Sequence, residues 1–138
     1  MKAWLIVSVF VAMLIIVASC QNDRQIEFSR YYSNGSAVYQ LHCQNCHGAK
    51  GEGLQGLMPS LTDSVYLKNN KNALACMLNN GLKGKVTVLN QEFESEMPPS
   101  NLSPLEIAQV LTYINNSFGN KLGTFNTEKV NADLAKCK

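Results

Sequence analysis

Apolar residues recur at helical spacing most clearly after residue 103. Ser103 is followed by a proline and stands three residues before Glu106, a combination that predicts a capping box with proline at the first helical position. The apolar positions that follow are Ile107, Val110, Leu111, Ile114 and Phe118. Their spacing predicts one amphipathic helix, which Gly119 is expected to end.

Two shorter helices are predicted earlier in the chain. Ser36 suits an N-cap for a helix over residues 37–46, and Gly48 lies just past its end, where glycine is common. A further helix is predicted over residues 70–80, where Gly81 stops an apolar stripe formed by Ala73, Leu74, Met77 and Leu78.

The remaining pattern predicts one hairpin and one helix in the tail. Residues 86–89 and 92–94 flank Asn90-Gln91 and are predicted to pair as a small hairpin. Residues 127–136 are predicted to form a short helix, because one face of it would carry Val130, Leu134 and Cys137.

The start of the chain reads as a targeting segment. Met1-Lys2 is a short basic start, residues 3–17 are apolar, and small residues then lead to Cys20. Val17-Ala18-Ser19-Cys20 resembles a bacterial lipobox, which implies cleavage before Cys20 and diacylation of its thiol. An uncleaved membrane anchor is the alternative, since about 15 apolar residues are marginal for spanning a bilayer. Both interpretations place the rest of the chain outside the cytoplasm, at a membrane surface.

Removing residues 1–19 from the 138-residue chain leaves 119 residues, enough for one compact domain. Residues 20–35 begin with a polar run and are interpreted as a membrane tether, while residues 36–118 are interpreted as the domain. Without Lys2 the chain keeps eleven basic and ten acidic residues, a net charge of +1. This near-neutral balance gives no indication of a nucleic-acid partner.

The segment Cys43-Gln44-Asn45-Cys46-His47 is a C-x-x-C-H motif, the attachment signature of a c-type haem. On a helical turn the two cysteines and the histidine lie at i, i+3 and i+4, so they face one side. Each thiol can add across one vinyl group of the haem, and His47 can bind the iron. A haem-free redox or zinc module is the alternative for such a motif.

The iron of a c-type haem has a sixth ligand or an open position. His42 lies in the same local segment as Cys43 and is interpreted as a surface residue. Met97 is the predicted ligand, because it lies in an ordered, proline-flanked segment just before a helix. Met58 lies only 11 residues after the histidine of the motif, and Met77 falls on a helical stripe where core packing is the usual explanation.

Two of the five cysteines are left without a role once the lipid and the haem are assigned. Cys76 and Cys137 are predicted to form a disulfide, since the expected compartment is oxidising. The bond would attach the tail, residues 119–138, to the domain. In the chain-entropy model, the loop that it closes stabilises the fold by roughly 4 kcal/mol. One buried thiol and one free tail thiol are the alternative.

From residue 36 to residue 118 the chain resembles a class I cytochrome c. The matching pattern is C-x-x-C-H-G from Cys43, then Pro59-x-Leu61, then Met97-Pro98, then a helix that reaches Tyr113-Ile114. The resemblance implies a small all-α fold around one covalently bound haem c, with N- and C-terminal helices that cross beside the haem. It also implies that the backbone carbonyl of Pro59 accepts the N–H of His47.

The resemblance implies one-electron transfer between redox proteins, such as membrane respiratory complexes, rather than catalysis on a small-molecule substrate. With Cys20 lipidated, the protein is expected on the periplasmic or outer face of a membrane in a bacterial cell envelope. The alternative is a five-coordinate iron that acts as a peroxidase or as a sensor of small gaseous ligands.

Overall fold

The computed structural model describes residues 2–137, except for the side chains of residues 2, 3, 5 and 16–22. In chain order the elements are α1 (Lys2–His42), α2 (Gln44–His47), α3 (Ser64–Asn69), α4 (Leu74–Asn80), β1 (Val86–Val88), β2 (Gln91–Phe93), α5 (Pro104–Ile114) and α6 (Thr127–Leu134). The fold is mostly helical, as expected for an all-α domain.

The chain divides into two compact units between Arg30 and Tyr31. The first unit consists of the α1 residues up to Arg30, whose described side chains are largely exposed. Within residues 2–137, no helix has both the length and the apolar character that crossing a membrane requires. The side chain of Cys20 lies outside the described residues, so its lipidation stays a prediction.

The predicted helix start at Ala37 is wrong, because α1 continues through Ser36. The hydroxyl of Ser36 accepts a hydrogen bond from Gln40 Nε2 at 3.3 Å and caps nothing. Gly35, just before it, is buried where α1 meets α5, and a Cβ at this position would fall on the backbone carbonyl of Gln109. The glycine therefore permits a close helix approach instead of breaking the helix.

The single helix predicted over residues 70–80 is wrong in its first part. Asp63 caps a separate short helix, α3, by accepting from the backbone N–H groups of Val65 and Tyr66 at 3.0 Å. A turn follows, and α4 begins at Leu74 and ends before Gly81, which has φ 76°. The predicted C-terminal stop is thus correct, while the first four residues of the prediction, 70–73, form a turn.

The hairpin is confirmed, with its turn one residue earlier than predicted. Val86 pairs with Phe93, and Val88 pairs with Gln91. The turn residues Leu89 and Asn90 have φ of 50° and 60°, as a two-residue hairpin turn with both central residues left-handed requires.

The capping box of α5 is confirmed, but the predicted end of the helix at Gly119 is wrong. The Ser103 N–H donates to the Glu106 carboxylate at 2.8 Å, and the Ser103 hydroxyl accepts from the Glu106 N–H. The helix ends at Ile114, with Asn115 as its C-cap, and the Asn115 carbonyl accepts from the Leu122 N–H of the tail at 2.8 Å.

The tail docks on the domain through apolar contacts and a disulfide. Phe125 and Val130 are fully buried, and Leu134 packs against the core. The Thr112 hydroxyl of α5 accepts from the Phe125 N–H at 3.0 Å. The predicted bond between Cys76 and Cys137 is present, with a Cα–Cα distance of 5.5 Å. Helix α6 therefore belongs to the same core as α4 and α5.

Candidate functional site

The C-x-x-C-H motif forms a single helical turn, α2, directly after α1. The N–H of His47 donates to the Cys43 carbonyl at 2.9 Å, and Gly48 ends the turn with φ 81°. The hydroxyl of Tyr39, a fully buried residue of α1, donates to the Gly48 carbonyl at 2.7 Å. This turn is therefore held from the core by a tyrosine that the sequence pattern did not single out.

Neither cysteine of the motif takes part in a disulfide, so both are left for a cofactor. Cys43 is partly buried and Cys46 is exposed. Burial, and to a smaller extent the neighbouring Cys46, raises the pKa of the Cys43 thiol to about 11.

His47 has its ring fixed by the backbone of the following loop. Its Nδ1 lies 3.0 Å from the Pro59 carbonyl oxygen, the bond that the resemblance implied. Because a carbonyl only accepts, Nδ1 carries the proton and Nε2 keeps its lone pair for a metal. Burial lowers the pKa of His47, which favours the neutral form that binds metals.

A cavity lies between the motif and the helices that follow it. Cys43, His47 and Pro59 border it on one side. Most of its other walls are apolar side chains, among them Leu67, Leu74, Leu78, Leu82, Val86, Val88, Leu111 and Ile114.

A second cavity shares His47, Pro59 and Met97 with the first and adds Cys46. The two cavities together bring both thiols, the imidazole and the Met97 thioether to one region. Met97 lines both cavities, whereas Met77 lines only the first and Met58 only the second.

Met97 is held by a short backbone bridge to the segment after α4. Its N–H donates to the Leu82 carbonyl at 2.9 Å, and the Leu82 N–H donates to the Met97 carbonyl at 2.8 Å. Gly81 allows this approach, since a Cβ there would fall on the Met97 carbonyl. The thioether therefore extends from a backbone fixed at both sides, with two prolines after it.

Sequence reasoning assigned the other histidine correctly and missed several supporting residues. His42 is the last residue of α1 and is exposed. In the part of the chain that the structure describes, no group of three or more His, Cys, Asp or Glu side chains is placed to hold a metal ion. Tyr39 supports the site through its hydroxyl and Leu82 through its backbone, and the sequence carries no separate signal for either contact.

The site fits a flat, largely apolar cofactor with a metal at its centre. Two thiols can anchor its edge, an imidazole with a free Nε2 borders the cavity, and the remaining walls exclude water. The family model for cytochrome c matches residues 32–118. A search of curated proteins finds no match for the chain.

Proposed function

The chain belongs to the cytochrome c family, and we propose that it carries single electrons through a haem iron bound by His47 and Met97. Domains of this family bind covalent haem c and use it for electron transfer. The observation that supports the axial pair is that His47 and Met97 line the same two cavities.

Each residue of the site has a defined role in this proposal. Cys43 and Cys46 hold the haem through thioether bonds, and His47 binds the iron through Nε2. The Pro59 carbonyl orients the imidazole and raises its basicity as a ligand. Bound haem supplies the one-electron couple, and the chain sets its potential through the axial ligands and burial.

The apolar walls and the fixed ligands suit electron transfer rather than substrate chemistry. Leu67, Leu74 and Leu78 are buried and exclude water from the cavity. With His47 and Met97 both as ligands, the iron would have no position left for a substrate, and the fixed backbone at Met97 would limit rearrangement between oxidation states. The protein accordingly acts as an electron carrier and not as an enzyme.

The proposed location is the outer side of a bacterial membrane, with the domain held there by diacylated Cys20. Its partners are redox proteins, including membrane respiratory complexes, and their contacts are small and transient. Mass spectrometry of the haem protein extracted from membranes should find a chain that begins at a diacylated Cys20. A chain that keeps residues 1–19 would contradict the lipid anchor.

Replacement of Met97 tests the ligand assignment. Met97→Ala should convert the ferric iron from low spin to high spin and lower its reduction potential, because a thioether ligand raises that potential. Met77→Leu and Met58→Leu are matched controls, since each of these methionines lines one of the two cavities. A high-spin ferric wild type, or a low-spin ferric Met97→Ala, would contradict the proposal.

A further inference from the structure

The loop that carries Pro59 runs from Gly51 to Leu61, and hydrogen bonds between its two ends close it. We call these two closed ends the neck of the loop. The Gly51 carbonyl accepts from the Leu61 N–H at 2.8 Å and from the Ser60 hydroxyl at 2.9 Å. The ring of Phe118 lies directly over Gly51, where a Cβ would overlap it. The position of the Pro59 carbonyl, and thus of the His47 ring, depends on this neck.

Asn120 joins the neck to the end of α5. Its side chain is 2% exposed, and its Nδ2 donates to the Leu61 carbonyl at 2.9 Å and to the Ile114 carbonyl at 3.0 Å. Asn120 lies just beyond residues 32–118, the part of the chain that the family model matches.

We propose that Asn120 is a positioning residue for the iron ligand His47. Leu61, which Asn120 binds, is two residues from Pro59, whose carbonyl binds the His47 Nδ1–H. Holding the Leu61 carbonyl fixes the end of the loop, so the Pro59 carbonyl stays aimed at the imidazole. Partners that orient a ligand in this way tune the metal. The inference rests on the proposed ligation of the iron by His47.

The chemistry of the bridge explains why an asparagine stands at this position. Two backbone carbonyls need two N–H donors at one point, and the NH₂ of a side-chain amide supplies both. A serine supplies one donor, and an aspartate at neutral pH supplies none. Replacement of Asn120 therefore frees the loop neck even where the rest of the tail stays docked through Phe125 and Val130.

Asn116 offers a matched control, because it makes the same type of bridge away from the loop. Its Nδ2 donates to the Thr112 carbonyl at 2.7 Å and to the Gly123 carbonyl at 2.9 Å. It therefore ties the tail to α5 as Asn120 does, but its hydrogen bonds within the described residues go to α5 and the tail and not to the loop that carries Pro59.

The test is hydrogen exchange by NMR on the ferrous holoprotein, comparing wild type, Asn120→Ala and Asn116→Ala. In Asn120→Ala the His47 Nδ1–H and the Leu61 N–H should exchange roughly tenfold faster relative to the core amide of Leu111, as local opening predicts. In Asn116→Ala the ratio of these rates should stay at its wild-type value. Equal acceleration at all three protons in Asn120→Ala would overturn the inference.

Asn120→Ser provides a second variant that keeps one donor, and it should give an intermediate rate ratio. A wild-type ratio in Asn120→Ser would overturn the inference even if Asn120→Ala fails to fold. Failure of the proposed ligation is distinguishable, since it would appear in the spectrum of the wild-type iron. The inference about Asn120 concerns only how the exchange rates of the His47 Nδ1–H and the Leu61 N–H, relative to that of the Leu111 amide, differ between variants.

Discussion

Gly35→Ala tests the close approach of α1 and α5, on which the position of the haem motif depends. A Cβ at Gly35 would fall on the backbone carbonyl of Gln109 and lie 2.9 Å from the Tyr113 Cβ. Tyr113 in turn packs on Tyr39, with ring centroids 5.4 Å apart, and the Tyr39 hydroxyl binds the turn of the motif. A shift at this crossing is therefore transmitted to the site.

Two opposing effects determine how far Gly35→Ala changes the free energy of unfolding. Alanine in a helix interior is favoured over glycine by roughly 0.5–1 kcal/mol. Overpacking costs about 1–3 kcal/mol, and the upper end applies here because the added carbon meets backbone rather than a flexible side chain. The free energy of unfolding should fall by about 2 kcal/mol in net terms.

The assay is guanidinium unfolding of the holoprotein, followed by far-UV circular dichroism and by haem absorbance. Ser36→Ala is the matched control, since Ser36 is the next residue of the same helix and its hydroxyl binds only Gln40. This variant should stay within about 0.5 kcal/mol of wild type. A Gly35→Ala protein as stable as wild type would refute the close helix approach.

Three further predictions concern other parts of the domain. Cys137→Ser removes the disulfide to Cys76, which lies 61 positions earlier in the chain, so the free energy of unfolding should fall by about 4 kcal/mol. Equal denaturant midpoints for the variant and wild type would contradict this. Ser103→Ala removes the cap of α5 and should cost about 1 kcal/mol by the same assay, whereas an unchanged midpoint would argue against the capping box. Backbone hydrogen bonds, chiefly from Tyr66 and then from Leu89, lower the pKa of the Asp63 carboxyl. The stability that the ionised carboxylate contributes is therefore fully present above the unfolded pKa of about 3.9, and it is lost as the pH falls through the lower folded pKa. The stability gap between wild type and Asp63→Asn should thus narrow in that acidic range, and a gap independent of pH would contradict the role of the carboxylate.

Local signals predicted the elements whose boundaries depend on nearby residues. The start of α5 follows from the capping box at Ser103, and the hairpin follows from its flanking apolar runs. The end of α5 could not be predicted, because the Asn115 carbonyl accepts from the tail at Leu122. The continuation of α1 through Ser36 could not be predicted for a similar reason, since only the approach of α5 explains the glycine before it.

The candidate site shows the same division between local and tertiary information. The spacing of Cys43, Cys46 and His47 lies within one helical turn and is visible in the sequence. The Pro59 contact required a resemblance, because nothing in its own segment indicates a histidine partner. Asn120 was missed altogether, since its two partners come from separate segments and asparagine is common in turns.

The central claim, ligation of the iron by Met97, is tested most directly by the methionine methyl resonances of the ferrous holoprotein. A methyl group bound over the face of the haem is shifted far upfield of all others by the ring current. We predict one such resonance in wild type, Met58→Leu and Met77→Leu, and its loss in Met97→Ala. Persistence of that resonance in Met97→Ala, or its absence from wild type, would contradict a His47–Met97 electron carrier.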